Sequence, residues 1–330
     1  EEPVLIEEKV ATKPDSFPSL PTVFNTSKIP DVLLKSREYQ QASLAESSLN
    51  NTVSDPLSAL VNIFCTFTTP TTVRTTTGTG FFVHSDGVIL TNAHVAQYLL
   101  LGETELLGDA ECLVRTGDPA KAEYKAELLY IPPTWVQKNA SLIDNEAPTG
   151  TGERDYALLY VSSSITKTPL PASFPALAID TNYLPRSVEN SSIRAAGYPA
   201  TDLIKNGAGA PLIPIIATST ISELYTFGSN YADVFSIHGT NVGAEGSSGG
   251  PIVNSEGKVI GMIATRGNDE TDGKGSLRAI TLSHINTTIK EETGFSLERN
   301  ITGNLGYRSK VFTKALVPFL IQLLTLEIKN

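Results

Sequence analysis

Cysteine and histidine are scarce in this chain: Cys65 and Cys112 are its two cysteines, and His84, His94, His238 and His284 its four histidines. A zinc site gathers several such ligands, so no metal site and no cofactor are expected. Clusters of lysine and arginine are missing too. The formal net charge is −10, and the phosphates of a nucleic acid would be repelled by such a surface. No apolar run is long enough to span a bilayer comfortably. The most apolar stretch, residues 315–328, is short and contains Pro318, Gln322 and Glu327. The first residues, "EEPVLIEEKVATKPDS", have neither the basic start nor the apolar run of a signal peptide. Disorder is excluded as well, because a chain that is 40% hydrophobic and 18% charged can bury an ordinary globular core.

What is present changes in texture along the chain. The first fifty or so residues are rich in proline, serine and charge, with one expected helix in "DVLLKSREYQQASLAESSLN", capped by Asp31 after Pro30. From about Pro56 short β-branched and aromatic runs take over, punctuated by turn residues. They are "ALVNIFCTFTT", "GTGFFVHS", "GVILTNAHVA", "AECLVRTG", "YKAELLYI" and "YALLYVSS". After a proline-rich stretch a second group follows: "SIRAAGYP", "PIIATSTISEL", "DVFSIHGT", "GPIVNS", "KVIGMIAT" and "LRAITLS". Two groups of short strands read as two β-barrels or a sandwich. No internal repeat of fixed period is visible. "HINTTIKEE" after Ser283 reads as a short helix. Residues 311–328 read as one more, with Phe312, Leu316, Phe319, Leu320, Leu323, Leu324 and Ile328 often three or four apart. That spacing gives a broad apolar face to be buried on the protein's own barrel or on another subunit. Asn25, Asn50, Asn139, Asn190, Asn286 and Asn300 begin Asn-x-Ser/Thr tripeptides, a motif too common to establish glycosylation.

Two segments carry candidate chemistry. "GAEGSSGGPIVNSEGKVIGMI", residues 243–263, is either a flexible glycine–serine loop or a tight turn presenting Ser248. In "GTGFFVHSDGVILTNAHVA" a Gly-x-Gly hairpin leads into an apolar strand, a turn at Ser85-Asp86-Gly87 and a second strand. His94 lies just past that strand's end. A general base needs a scaffold that fixes its ring and leaves one nitrogen open, and the end of a buried strand supplies both.

The pairing of "TGTGFFVHSDGVILTNAHVA" with "GSSGGPIVNSEGKVIGMI" resembles the trypsin-like serine proteases, and within them it looks most like the bacterial HtrA-type group. The resemblance covers roughly residues 56–293, through "LRAITLSHINTTI". It implies a mainly β fold of two six-stranded antiparallel barrels, residues 56–176 and 177–293. Helical extensions would flank them, residues 1–55 with one helix and 294–330 with an apolar helix. The implied function is that of a serine endopeptidase acting on polypeptides. His94, Asp155 and Ser248 would form its triad, and the amides of Gly246 and Ser248 its oxyanion hole. Asp155 is taken from "ERDYALLYV", which matches the family's Asp-x-Ala-Leu-Leu strand; Asp109, Asp118 and Asp144 precede no comparable strand. Gly243, Ala264, Thr265 and Arg266 correspond to the substrate pocket. None of these is an acidic floor, so cleavage after lysine or arginine is not supported, while Arg266 either favours an acidic side chain or is solvated at the rim. Ser247 stands where the digestive members carry an aspartate, and no Ile-Val-Gly-Gly segment precedes the domain. Activation by a newly cut N-terminus is therefore not expected. The residues after Thr293 are too few for a PDZ domain. Cys65 and Cys112 fall in two predicted strands of the first barrel, as buried thiols or as one disulfide. With the family's frequent export, a disulfide would favour a periplasmic or extracellular setting.

Two other readings remain open at this level. Gly246-x-Ser248-x-Gly250 also fits the nucleophile elbow of α/β-hydrolases, with His284 as the base, although its flanks read as strands. Alternatively, a protease-like fold serves as a binding or assembly module, its terminal extensions covering the cleft or joining copies into a homo-oligomer.

Overall fold

Most of the short β-branched runs become strands in the computed structural model, which describes residues 37–44, 49–68, 73–102, 109–141, 152–207 and 209–328. A two-residue parallel pairing, β1 (Thr52–Val53) with β8 (Ala176–Leu177), lies outside the barrels. The first barrel comprises β2 (Leu60–Thr68), β3 (Val73–His84), β4 (Val88–Thr91), β5 (Asp109–Thr116), β6 (Lys121–Tyr130) and β7 (Ala157–Ser164). It closes in the order β2-β3-β4-β7-β6-β5. The second comprises β9 (Ser192–Gly197), β10 (Ile215–Tyr225), β11 (Val234–Ile237), β12 (Pro251–Val253), β13 (Val259–Arg266) and β14 (Leu277–Thr281). Its order is β10-β11-β14-β13-β12-β9. Numbered within each barrel, both run first-second-third-sixth-fifth-fourth, so one antiparallel topology occurs twice without a repeat in the sequence. Closure leaves no unpaired sheet edge, which is how a β-protein avoids sticking to its neighbours. The sandwich alternative is excluded.

The turn expected at Ser85-Asp86-Gly87 joins β3 to β4, with Gly87 at φ 88 and its amide donating to His84 O at 3.0 Å. Only glycine takes that backbone region without steric cost. Val61, Ile63, Phe81, Val88, Ile89, Leu90, Leu158 and Leu159 are buried in the first barrel, and Phe235, Ile237, Ile252, Ile263 and Ala279 in the second, while Leu60 packs with Ala196 and Tyr198.

Among the expected helices, one falls partly outside the described residues and another is divided. Near the N-terminus a helix spans Arg37–Leu44, while the expected cap, Asp31, lies outside the described residues. Where one helix was expected over residues 311–328 there are two, Leu305–Ala315 and Val317–Ile328. Pro318 explains the break: with no N–H and a ring that clashes with the preceding turn, it is tolerated at the start of a helix but not inside one. The helix expected after Ser283 spans Leu282–Thr293, opened by Thr281, whose hydroxyl accepts from the His284 amide, and closed by Gly294 at φ 83.

The helix Leu305–Ala315 packs on β6 and β7 of the first barrel, and Val317–Ile328 packs on that helix and on the short helices Tyr98–Leu101 and Pro133–Asn139 between first-barrel strands. Phe312 is buried with its ring 6.1 Å from that of Tyr130, and the Ser309 hydroxyl reaches Leu128 O at 3.0 Å. Leu316, Val317, Leu320 and Leu324 join the same core. The apolar face is thus covered by the chain's own barrel. Among the described residues no helix is long and apolar enough to cross a membrane. Cys65 faces Cys112 across β2 and β5, and the two are joined by a disulfide.

Removing the buried Phe312 ring leaves a cavity between helix and barrel. Phe312→Ala is expected to lower the unfolding free energy by about 3–5 kcal/mol in denaturant titration. Thiol titration of the denatured protein should find no free thiol before reduction and both cysteines after it.

Candidate active site

Strand ends and turns from both barrels meet at one cleft of about 390 Å³. From the first barrel comes His94, in the single helical turn Ala93–Ala96 that follows β4. Apolar residues on either side of it, Ala93, Val95 and Ala96, are buried and fix the turn. Asp155 sits two residues before β7, in the coil and not in the strand where the sequence placed it. It is fully buried. Its Oδ2 is 2.7 Å from His94 Nδ1, and its Oδ1 accepts the His94 amide at 2.9 Å. A carboxylate only accepts, so Nδ1 carries the proton and Nε2 is the basic nitrogen. Asn92, a residue the sequence reading passed over within "TNAHV", donates to Asp155 O at 2.8 Å and ties the two loops together.

From the second barrel comes the glycine–serine turn between β11 and β12. Gly246 and Gly249 adopt φ of 91 and 88. At Gly249 a Cβ would fall 1.9 Å from Thr79 O, so glycine is required there for space as well as for conformation. The two serines point to different fates. Ser247 is fully buried, and its would-be neighbour at Gly197 would meet it at 3.1 Å. Ser248 is half-buried and lines the cleft with His94. Among the described residues, neither the Gly246 nor the Ser248 amide donates to a backbone carbonyl.

Thr79 of β3 holds this turn against the first barrel. Its amide donates to Ser248 O at 2.8 Å, its hydroxyl donates to Gly246 O at 2.7 Å, and the same hydroxyl accepts the Tyr198 amide at 2.9 Å. Its carbonyl accepts from the Thr91 hydroxyl at 2.7 Å. The sequence analysis missed Thr79, which is fully buried and stands between the two glycines of Gly78-Thr79-Gly80.

Of the four expected pocket residues, Ala264, Thr265 and Arg266 line the cleft, with Ile263 and Leu277 beside them. Gly243 is not among the lining residues; it packs on the Gly275 backbone, where a Cβ would fall 1.9 Å from Gly275 O. Phe64, Thr75, Thr76, Thr77, Leu203 and Ile204 also line the cleft; of these only Thr77, which opens the segment around His94, belongs to a motif singled out in the sequence.

His284 is not part of this cleft. It is buried at the start of the helix Leu282–Thr293, with Nδ1 2.9 Å from Asp233 Oδ1. Burial works against the Asp233 charge, but hydrogen bonding and attraction from His284, with further bonds from Phe227 N and Ser229, hold its carboxyl below the usual value. His284 does not line the cleft with Ser248, and the two-barrel fold excludes the α/β-hydrolase reading.

The family model described as a trypsin-like peptidase domain matches residues 78–262, a span that contains His94, Asp155 and Ser248. No curated protein matches the chain. Among solved structures, the crystal structure of Deg5 is similar, at 19% identity over 71% of this chain and 87% of that one, with a TM-score of 0.44.

Thr79→Val keeps the side-chain shape but strips the hydroxyl from the Gly246 carbonyl and the Tyr198 amide. Leaving such buried groups unpaired should cost roughly 1–3 kcal/mol of unfolding free energy, measurable by urea titration.

Proposed function

The chain belongs to the trypsin-like peptidase family, and we propose that it is a serine endopeptidase. The observation that carries this reading is the 2.7 Å contact of His94 Nδ1 with buried Asp155, in the same cleft that Ser248 lines. Ser248 Oγ attacks the scissile carbonyl, and His94 Nε2 takes its proton. Asp155 fixes the tautomer and stabilises the imidazolium that forms. The amides of Gly246 and Ser248, unused by other backbone carbonyls, donate to the oxyanion; one such donor is typically worth about 3 kcal/mol of barrier. Protonation of the leaving amine by His94 releases the first product and leaves an acyl-enzyme on Ser248. Water, activated by the same imidazole, hydrolyses it.

The β13 wall of the cleft, Ile263, Ala264 and Thr265 with Leu277, suits an uncharged side chain at the cleaved bond. Among the described lining residues the one carboxylate is Glu245, which is exposed at the mouth, so an acidic floor for lysine or arginine is not part of this reading. The Cys65–Cys112 disulfide supports an oxidising setting, periplasmic or extracellular.

A fluorophosphonate probe should label the protein at Ser248 alone. Ser248→Ala and His94→Ala should each cut turnover of a peptide library by roughly 10⁴–10⁶-fold, and Asp155→Asn by about 10³–10⁴-fold, with folding little changed. An unlabelled, inactive parent protein would leave the binding-module reading in its place.

A further inference from the structure

The residues on either side of Asp155 reach the same helix of the other half of the molecule. Arg154 stands in the left-handed region at φ 57, a conformation that side-chain-bearing residues rarely adopt. Its guanidinium spans two carboxylates of the helix Leu282–Thr293: Nη1 donates to Glu292 at 2.9 Å, and Nη2 to Glu291 at 2.8 Å. On the other side of Asp155, the Tyr156 phenol meets the Thr288 hydroxyl at 3.0 Å. Glu292 is in turn held by the Thr134 hydroxyl at 2.8 Å and by the Tyr130 phenol. Burial pushes the Glu292 carboxyl up, against the pull of Arg154 and of the Tyr130 and Thr134 hydrogen bonds.

Asp155 itself sits in coil, so no strand ladder fixes it at that point. Asn92 holds its carbonyl and Gly152 O its amide, and the residues on either side anchor that loop to the helix Leu282–Thr293. We propose that Arg154 and Glu292 are positioning residues that set the Asp155 carboxylate against His94, coupling the triad to the helix that follows the second barrel. This rests on the reading of His94 and Asp155 as the base and its orienting acid. Neither Arg154 nor Glu292 touches the cleft: neither is among its lining residues. Their effect passes through the loop of residues 152–155, whose other left-handed position is Gly152 at φ 87.

The test uses the full chain with Arg154→Gly and Glu292→Gln. Glycine accepts the φ of Arg154 freely, so the first variant deletes the guanidinium without adding backbone strain. Glutamine keeps the shape of Glu292 and removes its charge. Turnover is measured per fluorophosphonate-titrated site, so that misfolded molecules do not count. The expected result is a fall in kcat of about 10–100-fold in each variant, as for a catalytic group slightly misplaced. KM should stay within about twofold, and the double variant should be no worse than the poorer single one, since both cut one link. Arg154→Lys should recover part of the loss. A second readout needs no turnover: the low-field proton resonance of the His94 Nδ1–H bonded to Asp155 should broaden or vanish in Arg154→Gly. Fewer labelled sites with an unchanged rate per site, or an unaltered resonance, would overturn the proposal. If the parent protein fails to label, the peptidase reading falls, and the resonance alone decides the coupling.

Discussion

Thr79 is where the two barrels become one machine. The turn that carries Ser248 in the second barrel is registered against the first through this residue of β3, whose amide bonds Ser248 O and whose hydroxyl bonds Gly246 O. The bonds are buried, short and backbone-directed, so a shift of either barrel would strand several polar groups without partners. The same demand explains the glycines. Gly249 lies so close to Thr79 that any side chain would push the turn away from β3. Thr79 and Gly249 are one design decision written at two distant places in the chain.

The barrels and the residues His94, Asp155 and Ser248 were legible because their signals are local. Alternation, turn residues and a glycine turn around serine can each be read within about twenty positions. The long-range partners were not. Thr79 looks like any strand threonine until Gly246 and Tyr198 are brought to it, and Arg154 looks like a solvated charge until Glu291 and Glu292 arrive from more than a hundred residues away. The two six-stranded barrels came from the family resemblance and not from an internal repeat, because their common topology lives in strand order and not in a repeated sequence. Gly243, expected in the substrate pocket from the resemblance, lies off the cleft lining against the Gly275 backbone, a contact that only the folded chain creates.

Among the described residues two buried histidines pair with a buried aspartate, and the two pairs differ in what surrounds them. In both, Nδ1 meets an aspartate within 3 Å. His94 faces a cleft that a half-buried serine also lines, whereas His284 lies at a helix start with the Phe227 ring 5.3 Å away. Asp233 spends its remaining lone pairs on Thr226, Phe227 and Ser229, so it organises the loop before β11. The geometry of the pair therefore does not tell the two apart; access to a shared cleft does.

The helices Leu305–Ala315 and Val317–Ile328 come last in the chain yet complete the core of the barrel made first. That order has a kinetic meaning. During synthesis the first barrel emerges with the patch around Tyr130 and Leu128 uncovered, and its cover arrives only after the entire second barrel has been made. Contacts so far apart in sequence require a large loop to close before they are rewarded, which slows folding and lengthens the life of sticky intermediates. It also means that a nascent chain cannot consolidate its histidine-bearing half early.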